Sequence, residues 1–195
     1  MNTRKYIMSF TAATVLPRES VAIADEYLEL SDWHLVKKKV VDENLLQAKA
    51  ESSLKRISQE LIGRLKMLSL EETEWLVRTN RQEQLYILWL AICRRYKFIA
   101  EFATEVLRER FITLKVDLTH EAFDVFFNHK CDWYSELDNL SESTKDKLRQ
   151  VLFKMMREVG FLNTDNIIQG VMLSSTFLDQ IKKNNTDEIK YFPSY

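Results

Sequence analysis

Glycine is scarce in this chain, with three residues among 195, at positions 63, 160 and 170, and proline occurs only twice. That spacing leaves no glycine-rich loop to cradle a phosphate, so the Walker and dinucleotide fingerprints are excluded. So few breakers, beside long stretches at helical period, predict an almost entirely α-helical chain. Cysteine is equally sparse. Cys93 and Cys131 are too few and too far apart for a disulfide framework or a zinc knuckle, and Cys93 lies inside an apolar helix. His129 stands near Cys131 without further metal ligands at the right spacing. No Gly-x-Ser-x-Gly elbow or His-Glu-x-x-His pair occurs, and carboxylate pairs such as Glu71-Glu72 and Glu105 with Glu109 read as capping or solvated helical positions. The chain is therefore expected to have no enzymatic activity, cofactor, metal or small-molecule substrate. The longest run without a charged residue, 166–178, is too short and too polar to cross a bilayer, which takes about 20 mostly apolar residues. Arg4-Lys5 and the apolar 6–16 faintly resemble a secretory leader, but their hydroxyls argue against one, and a cytoplasmic protein without a membrane partner is expected.

What the chain does have is charge, sorted into blocks. The net charge is −1, which by itself is unlike a strongly basic nucleic-acid binder. From Thr119 to Glu142, however, six acidic residues face one lysine, whereas Ser143 to Val159 has five basic and two acidic residues. Such neighbouring blocks fit a polarised binding face or an internal seam of ion pairs.

In chain order, Pro17 opens a helix with apolar Val21, Ala24, Leu28 and Leu30, and Ser31-Asp32 caps a second with Trp33, Val36, Val40 and Val41 inward. Lys37, Lys38 and Lys39 close that helix, either answering its negative end or meeting phosphates. A third helix, about 52–68, has the stripe Leu54, Ile57, Leu61, Leu65 and Leu68, with Ser52, Lys55, Arg56, Gln59 and Lys66 outside. This order is that of a helix-turn-helix module whose last helix would be the recognition helix. Capping signals at Ser69 and at Thr79-Asn80 start two more helices, and Leu85–Cys93, apolar almost all round, should be a buried spine. A partner helix from Phe98 to about Lys115 follows, then one capped by Thr119 and a short one with Trp133, Leu137 and Leu140. A last helix begins at Ser174, and the polar run after Ile181 is expected to be frayed or loosely docked through Tyr191 and Phe192.

The segment 143–173 holds the sharpest pattern. Ser143-Thr-Lys-Asp146 predicts a helix start, Leu148, Val151, Leu152, Met155, Met156 and Val159 form one apolar stripe, and Gly160 sits where a left-handed C-terminal residue is wanted. The other face carries Lys145, Lys147, Arg149, Lys154 and Arg157. Phe161-Leu162, the turn-forming run 163–166 and Ile167-Ile168 then read as a short hairpin. A cationic helix followed by a hairpin is the order of a winged-helix recognition helix and wing.

Several long signatures also carry a family resemblance: Glu43-Asn44, Ser53 with Arg56, Arg64-Leu65, the Leu88-Trp89-Leu-Ala-Ile-Cys93-Arg94-Arg-Tyr96 spine, the ten residues from Ser143 to Leu152, and Arg157-Glu-Val-Gly160. Over nearly its whole length the chain resembles the BrxA family of the BREX bacteriophage-exclusion systems, departing from it at Phe10–Ala13, where glycine would be expected. The resemblance implies a small all-helical protein that binds double-stranded DNA through helix-turn-helix-like modules, with other BREX proteins as partners. The family has also been likened to NusB-type RNA-binding antitermination factors. Taken together, these readings give an all-α bundle with a small β-hairpin wing. They divide it into a helix-turn-helix-like module (1–68), a central spine (69–118) and a winged-helix-like module (119–195). The expected DNA contacts are Lys37, Lys38, Lys39, Ser52, Lys55, Arg56, Lys145, Lys147, Arg149, Lys154 and Arg157, serving a weakly sequence-specific, non-enzymatic role in phage defence. The alternatives are an RNA-binding bundle and a protein-interaction scaffold.

Overall fold

Helix starts in this chain are written in short polar side chains, and the structure, a computed structural model, places most of them where that chemistry requires. It describes residues 6–195; Arg4-Lys5, the basic start of the leader-like segment, lie outside them. The helices are α1 (Pro17–Leu30), α2 (Trp33–Asp42), α3 (Glu51–Leu65), α4 (Leu70–Arg78), α5 (Arg81–Arg95), α6 (Lys97–Phe102), α7 (Glu109–Ile112), α8 (His120–Cys131), α9 (Ser135–Asp138), α10 (Glu142–Val159) and α11 (Ser175–Asn184). The protein is all-α; among the described residues the only β pairings are two isolated antiparallel bridges, Leu162 with Ile168 and Asp117 with Ile167. Asp32, Ser69, Thr119 and Ser174 each cap a helix by accepting a backbone N–H, and Ser69 with Glu72 completes a reciprocal capping box. Asn80 does the same for α5, accepting from Gln82 and Glu83. One cap falls two residues earlier than the pattern suggests. Ser141, rather than Ser143, accepts from the Thr144 amide and starts α10.

The described residues form two units, one spanning Ala12–Arg95 and the other combining the residues up to Thr11 with Tyr96–Tyr195. In the first, α5 is the spine: every residue from Leu85 to Cys93 is buried, which is why its apolar residues need no stripe. It packs against α1, α3 and α4, while α2 lies on α1 and α3. The inward face of α1 is Ser20, Ile23 and Ala24 rather than Val21 and Leu28, because the neighbouring helices cover a face rotated from the one that apolar residues alone suggest. Ion pairs with buried carboxylates brace this unit. Arg94 Nη1 and Nη2 each donate to Glu72 at 2.7 Å, so Glu72 both caps α4 and ties it to α5. Arg64 Nε donates to Glu60 at 2.7 Å, and its Nη atoms donate to the carbonyls of Ala13 and Thr14. Gly63 is set by the same packing: a Cβ there would come 2.6 Å from the Arg95 guanidinium, which donates to the Gly63 carbonyl.

In the second unit, a helix runs from Lys97 to Ile112 but widens in its middle into a π-helical stretch, Ala103–Arg108. Phe98 and Phe102 meet Phe123 and Phe126 of α8 at ring-centre distances of 5.2–5.9 Å, the edge-on and tilted contacts that aromatic quadrupoles favour. Phe10, at the position where the family resemblance leads one to expect glycine, is fully buried against Tyr96 and Phe98. An ionic cluster anchors Tyr6, whose hydroxyl donates to Glu101. Lys130 Nζ lies 2.7 Å from Glu101 and 2.8 Å from Glu105. Burial pulls the Glu101 carboxyl upward, yet the hydrogen bonds from Lys130 and Tyr6 prevail and hold it below the ordinary carboxylate range. The C-terminal run is docked rather than frayed: a 3-10 turn, Thr186–Tyr191, carries Phe192, one of the two residues expected to hold it, into full burial against Phe161 and Phe177. Trp133, by contrast, is 72% exposed and contributes little to the core. No helix among the described residues is long and apolar enough to cross a membrane.

Candidate nucleic-acid interface

Lysine triplets on a helix cannot all point one way, since successive residues are turned by about 100°, and the triplet on α2 is divided accordingly. Lys37 and Lys38 line a groove of about 450 Å³ between α2 and α3, together with His34, Val41, Asp42, Lys55 and Gln59. Lys39 turns to α1, where its Nζ lies 2.6 Å from Glu26; hydrogen bonding to that carboxylate keeps its pKa above the ordinary lysine value. Lys55 lies 2.5 Å from Glu51 one turn earlier, a solvent-screened pair that costs little to exchange for a phosphate. Ser52 and Arg56, four residues apart on α3, are both exposed and do not line the groove. Residues 43–50 separate α2 from α3, a longer connection than the three or four residues of a helix-turn-helix.

The cations of α10 divide in the same manner. Lys145 and Arg149 turn to α8. Lys145 Nζ donates to Asn128 at 3.0 Å, and Arg149 donates from Nη1 to both carboxylate oxygens of Asp124, at 2.7 and 2.8 Å, and from Nη2 to Asp146 at 2.6 Å. Arg149, read from the sequence as a phosphate contact, is thus engaged in tying α10 to α8, because its position turns it into the acidic block. Lys147, Gln150, Lys154 and Arg157 remain exposed at spacings of three and four residues, one outward stripe. Lys154 has only a loose 3.9 Å approach to Glu158, and Arg157 donates to the Asn166 side chain at 3.1–3.3 Å. Gly160 ends the helix at φ 89°, a conformation glycine adopts without steric cost.

The segment after α10 makes a tight turn but little sheet. The Asn163 carboxamide accepts from the amides of Asp165 and Ile167, Asn166 takes φ 59°, and the Leu162–Ile168 bridge is a single pairing. Ile168 also donates its amide to the Val116 carbonyl at 2.7 Å, so the segment is pinned against 116–118.

The BrxA family profile matches residues 4–185. The chain belongs to the BrxA family. A "BREX protein BrxA" of Bacillus cereus (strain H3081.97) is 29% identical over 131 residues, covering 65% of this chain and 64% of that protein. Another of the same name, from Escherichia coli O9:H4 (strain HS), is 24% identical over 165 residues, covering 84% and 76% respectively. The chain thus spans somewhat less than two thirds of the Bacillus relative. A crystal structure of an uncharacterized protein from Magnetospirillum magneticum shares the fold, with TM-score 0.86 and 19% identity over 97% of this BrxA chain and 98% of that one.

No group of three or more His, Cys, Asp or Glu side chains among the described residues is placed to hold a metal. Cys131 is instead withdrawn from reactivity. Burial and a hydrogen bond with Asp138 push its thiol up to about 11, leaving roughly a hundredfold less thiolate near neutral pH than an ordinary thiol carries. Iodoacetamide should therefore label Cys131 about a hundredfold more slowly than free cysteine at pH 8, and the rate should climb with pH until about 11. Labelling at the free-cysteine rate would show Asp138 and its burial to be ineffective.

Proposed function

We propose that this BrxA chain is the double-stranded-DNA-binding component of a BREX phage-defence system, non-enzymatic and weakly sequence-specific, acting in the cytoplasm beside other BREX proteins. The observation that carries the reading is the α2–α3 groove, which gathers Lys37, Lys38 and Lys55 beside Asp42, with Lys55 also in its solvent-screened pair with Glu51. The outward stripe Lys147, Lys154 and Arg157 on α10 supports it, on the helix that the sequence places before a wing-like turn. In this reading α3 and α10 are the recognition helices of helix-turn-helix-like and winged-helix-like modules. Lysine and arginine meeting phosphates give affinity without base information, so weak specificity follows.

Each phosphate neutralised on B-DNA contributes about −0.9 to the slope of log affinity against log salt. Six cations each meeting one phosphate would give a slope near −5, and about a thousandfold loss of affinity between about 50 and 200 mM salt. Anisotropy titrations with a duplex of mixed sequence read that slope directly. Failure to bind at the lowest salt would overturn the proposal. Stronger competition by structured RNA than by duplex DNA would favour the NusB-like reading, since A-form RNA has a major groove too narrow for a helix.

A further inference from the structure

The acidic block that precedes α10 is not spent only on ion pairs, because part of it edges a second concavity with the opposite character to the lysine groove. Between the π-helical stretch and α8 lies a cleft of about 560 Å³. Its floor is apolar: Val106, Ala122, Val125 and Phe126 line it, and Val125 is 64% exposed. Glu105, Asp117 and Glu121 stand around it. The arginine that lines it, Arg110, is already committed, donating from Nε to the Asp117 carbonyl and lying 3.1 Å from the Asp117 carboxylate. Glu105 shares the Lys130 ammonium at 2.8 Å and Asp117 the Arg110 guanidinium, so Glu121 is the main charge that this exposed apolar floor offers to a side chain with a hydrophobic stem and a cationic head.

The chain beside the cleft shows the same character. It leaves the cleft at Arg110, returns at Asp117, and in between exposes Ile112, Leu114 and Val116, by 37%, 74% and 38%. Leu114 does so from φ 59°, a left-handed conformation in which glycine would be the unstrained choice. Its amide donates to the Phe111 carbonyl at 3.1 Å, but its side chain stays mostly in solvent. A contact partner would give it a purpose.

We propose that this cleft and its apolar loop dock a basic, hydrophobic segment of a partner protein, with a lysine or arginine held among Glu105, Asp117 and Glu121 and aliphatic neighbours on Val125 and Leu114. The cleft shares no lining residue with the lysine groove, and the inference stands whether or not the chain binds DNA.

The probes are two fluorescent twelve-residue peptides of the same leucine content, one alternating leucine with lysine and one with glutamate, titrated against the full chain. The lysine peptide should bind at least tenfold more tightly than the glutamate peptide. V125D, which breaks the apolar floor at its most exposed residue while adding rather than removing negative charge, should weaken the lysine peptide about tenfold. E121K should weaken it about fivefold, and E74K, on α4 in the other unit, should leave it unchanged. L114G should weaken it while melting no lower than the parent, which separates lost contact from lost folding. Equal affinity for the two peptides, equal effects of E121K and E74K, or undiminished binding in both V125D and L114G would overturn the proposal. So would sedimentation showing a dimer that V125D dissolves, for the occupant would then be a second copy of the chain.

Discussion

Replacing Arg64 by alanine should lower the stability of the chain by about 3–5 kcal/mol, the range for breaking one side of a buried ion pair. Arg64 is 3% exposed and Glu60 5%. Its guanidinium does three things at once: it answers the Glu60 carboxylate, and it satisfies the carbonyls of Ala13 at 2.7 Å and Thr14 at 2.5 Å, joining α3 to the segment that leads into α1. The substitution takes a cation from a buried carboxylate, and desolvation makes any loss of compensating charge costly there. For a chain of this length the loss amounts to a melting temperature lower by roughly 10 °C. Converting Glu60 and Arg64 together to leucine should restore part of the loss, because an apolar pair avoids the buried charge, but not all, because the Ala13 and Thr14 carbonyls still lose their donors. Urea unfolding of R64A, the double variant and the exposed control K66A measures this. An R64A midpoint equal to that of K66A would show the pair to be dispensable.

Reversing Lys37, Lys38 and Lys55 together to glutamate should cut duplex-DNA affinity at least about a hundredfold at 0.1 M salt and flatten the salt slope by about three, one for each phosphate contact removed. All three line one groove, so reversal turns an attractive channel into a repulsive one. K39E supplies the contrast. Lys39 is paired with Glu26, and its reversal should disturb the α1–α2 packing while leaving the salt slope within about one of the parent. On α10 the informative substitutions are at Lys147, Lys154 and Arg157. Arg149 is a poor test, since its loss strips Asp124 and Asp146 of their cation and would weaken the fold together with any binding. A triple reversal in the groove that left the slope unchanged would move the DNA contact elsewhere.

Much of the fold was legible from the chain because it is written locally. A capping serine or aspartate acts on amides two or three residues away, and a stripe at helical period needs only its own helix, so Asp32, Ser69, Thr119 and Ser174 start helices where the sequence indicates. The uniformly apolar run Leu85–Cys93 similarly announced a spine buried on all sides. Other features depend on what a side chain meets across space. The six-residue π-helical stretch in the Lys97–Ile112 helix has no signature in its own residues. The burial of Glu60, Arg64 and Glu72 could not be read from charged residues at positions that usually face water. An i, i+4 glutamate–arginine spacing at 60 and 64 was the available signal, and it is shared by many exposed pairs.

The candidate interface divides along the same line. By itself the sequence determined that this is a helical chain of nearly balanced charge with cations gathered on α2, α3 and α10, since composition and periodicity belong to the chain alone. Only the tertiary structure decided which of those cations face outward. Lys37, Lys38 and Lys55 share a groove and Lys147, Lys154 and Arg157 a stripe, while Lys39 and Arg149 are drawn to Glu26 and Asp124. The physical reason is that a charged side chain is committed by the nearest opposite charge that folding brings within hydrogen-bonding reach, and that neighbour lies outside its own helix.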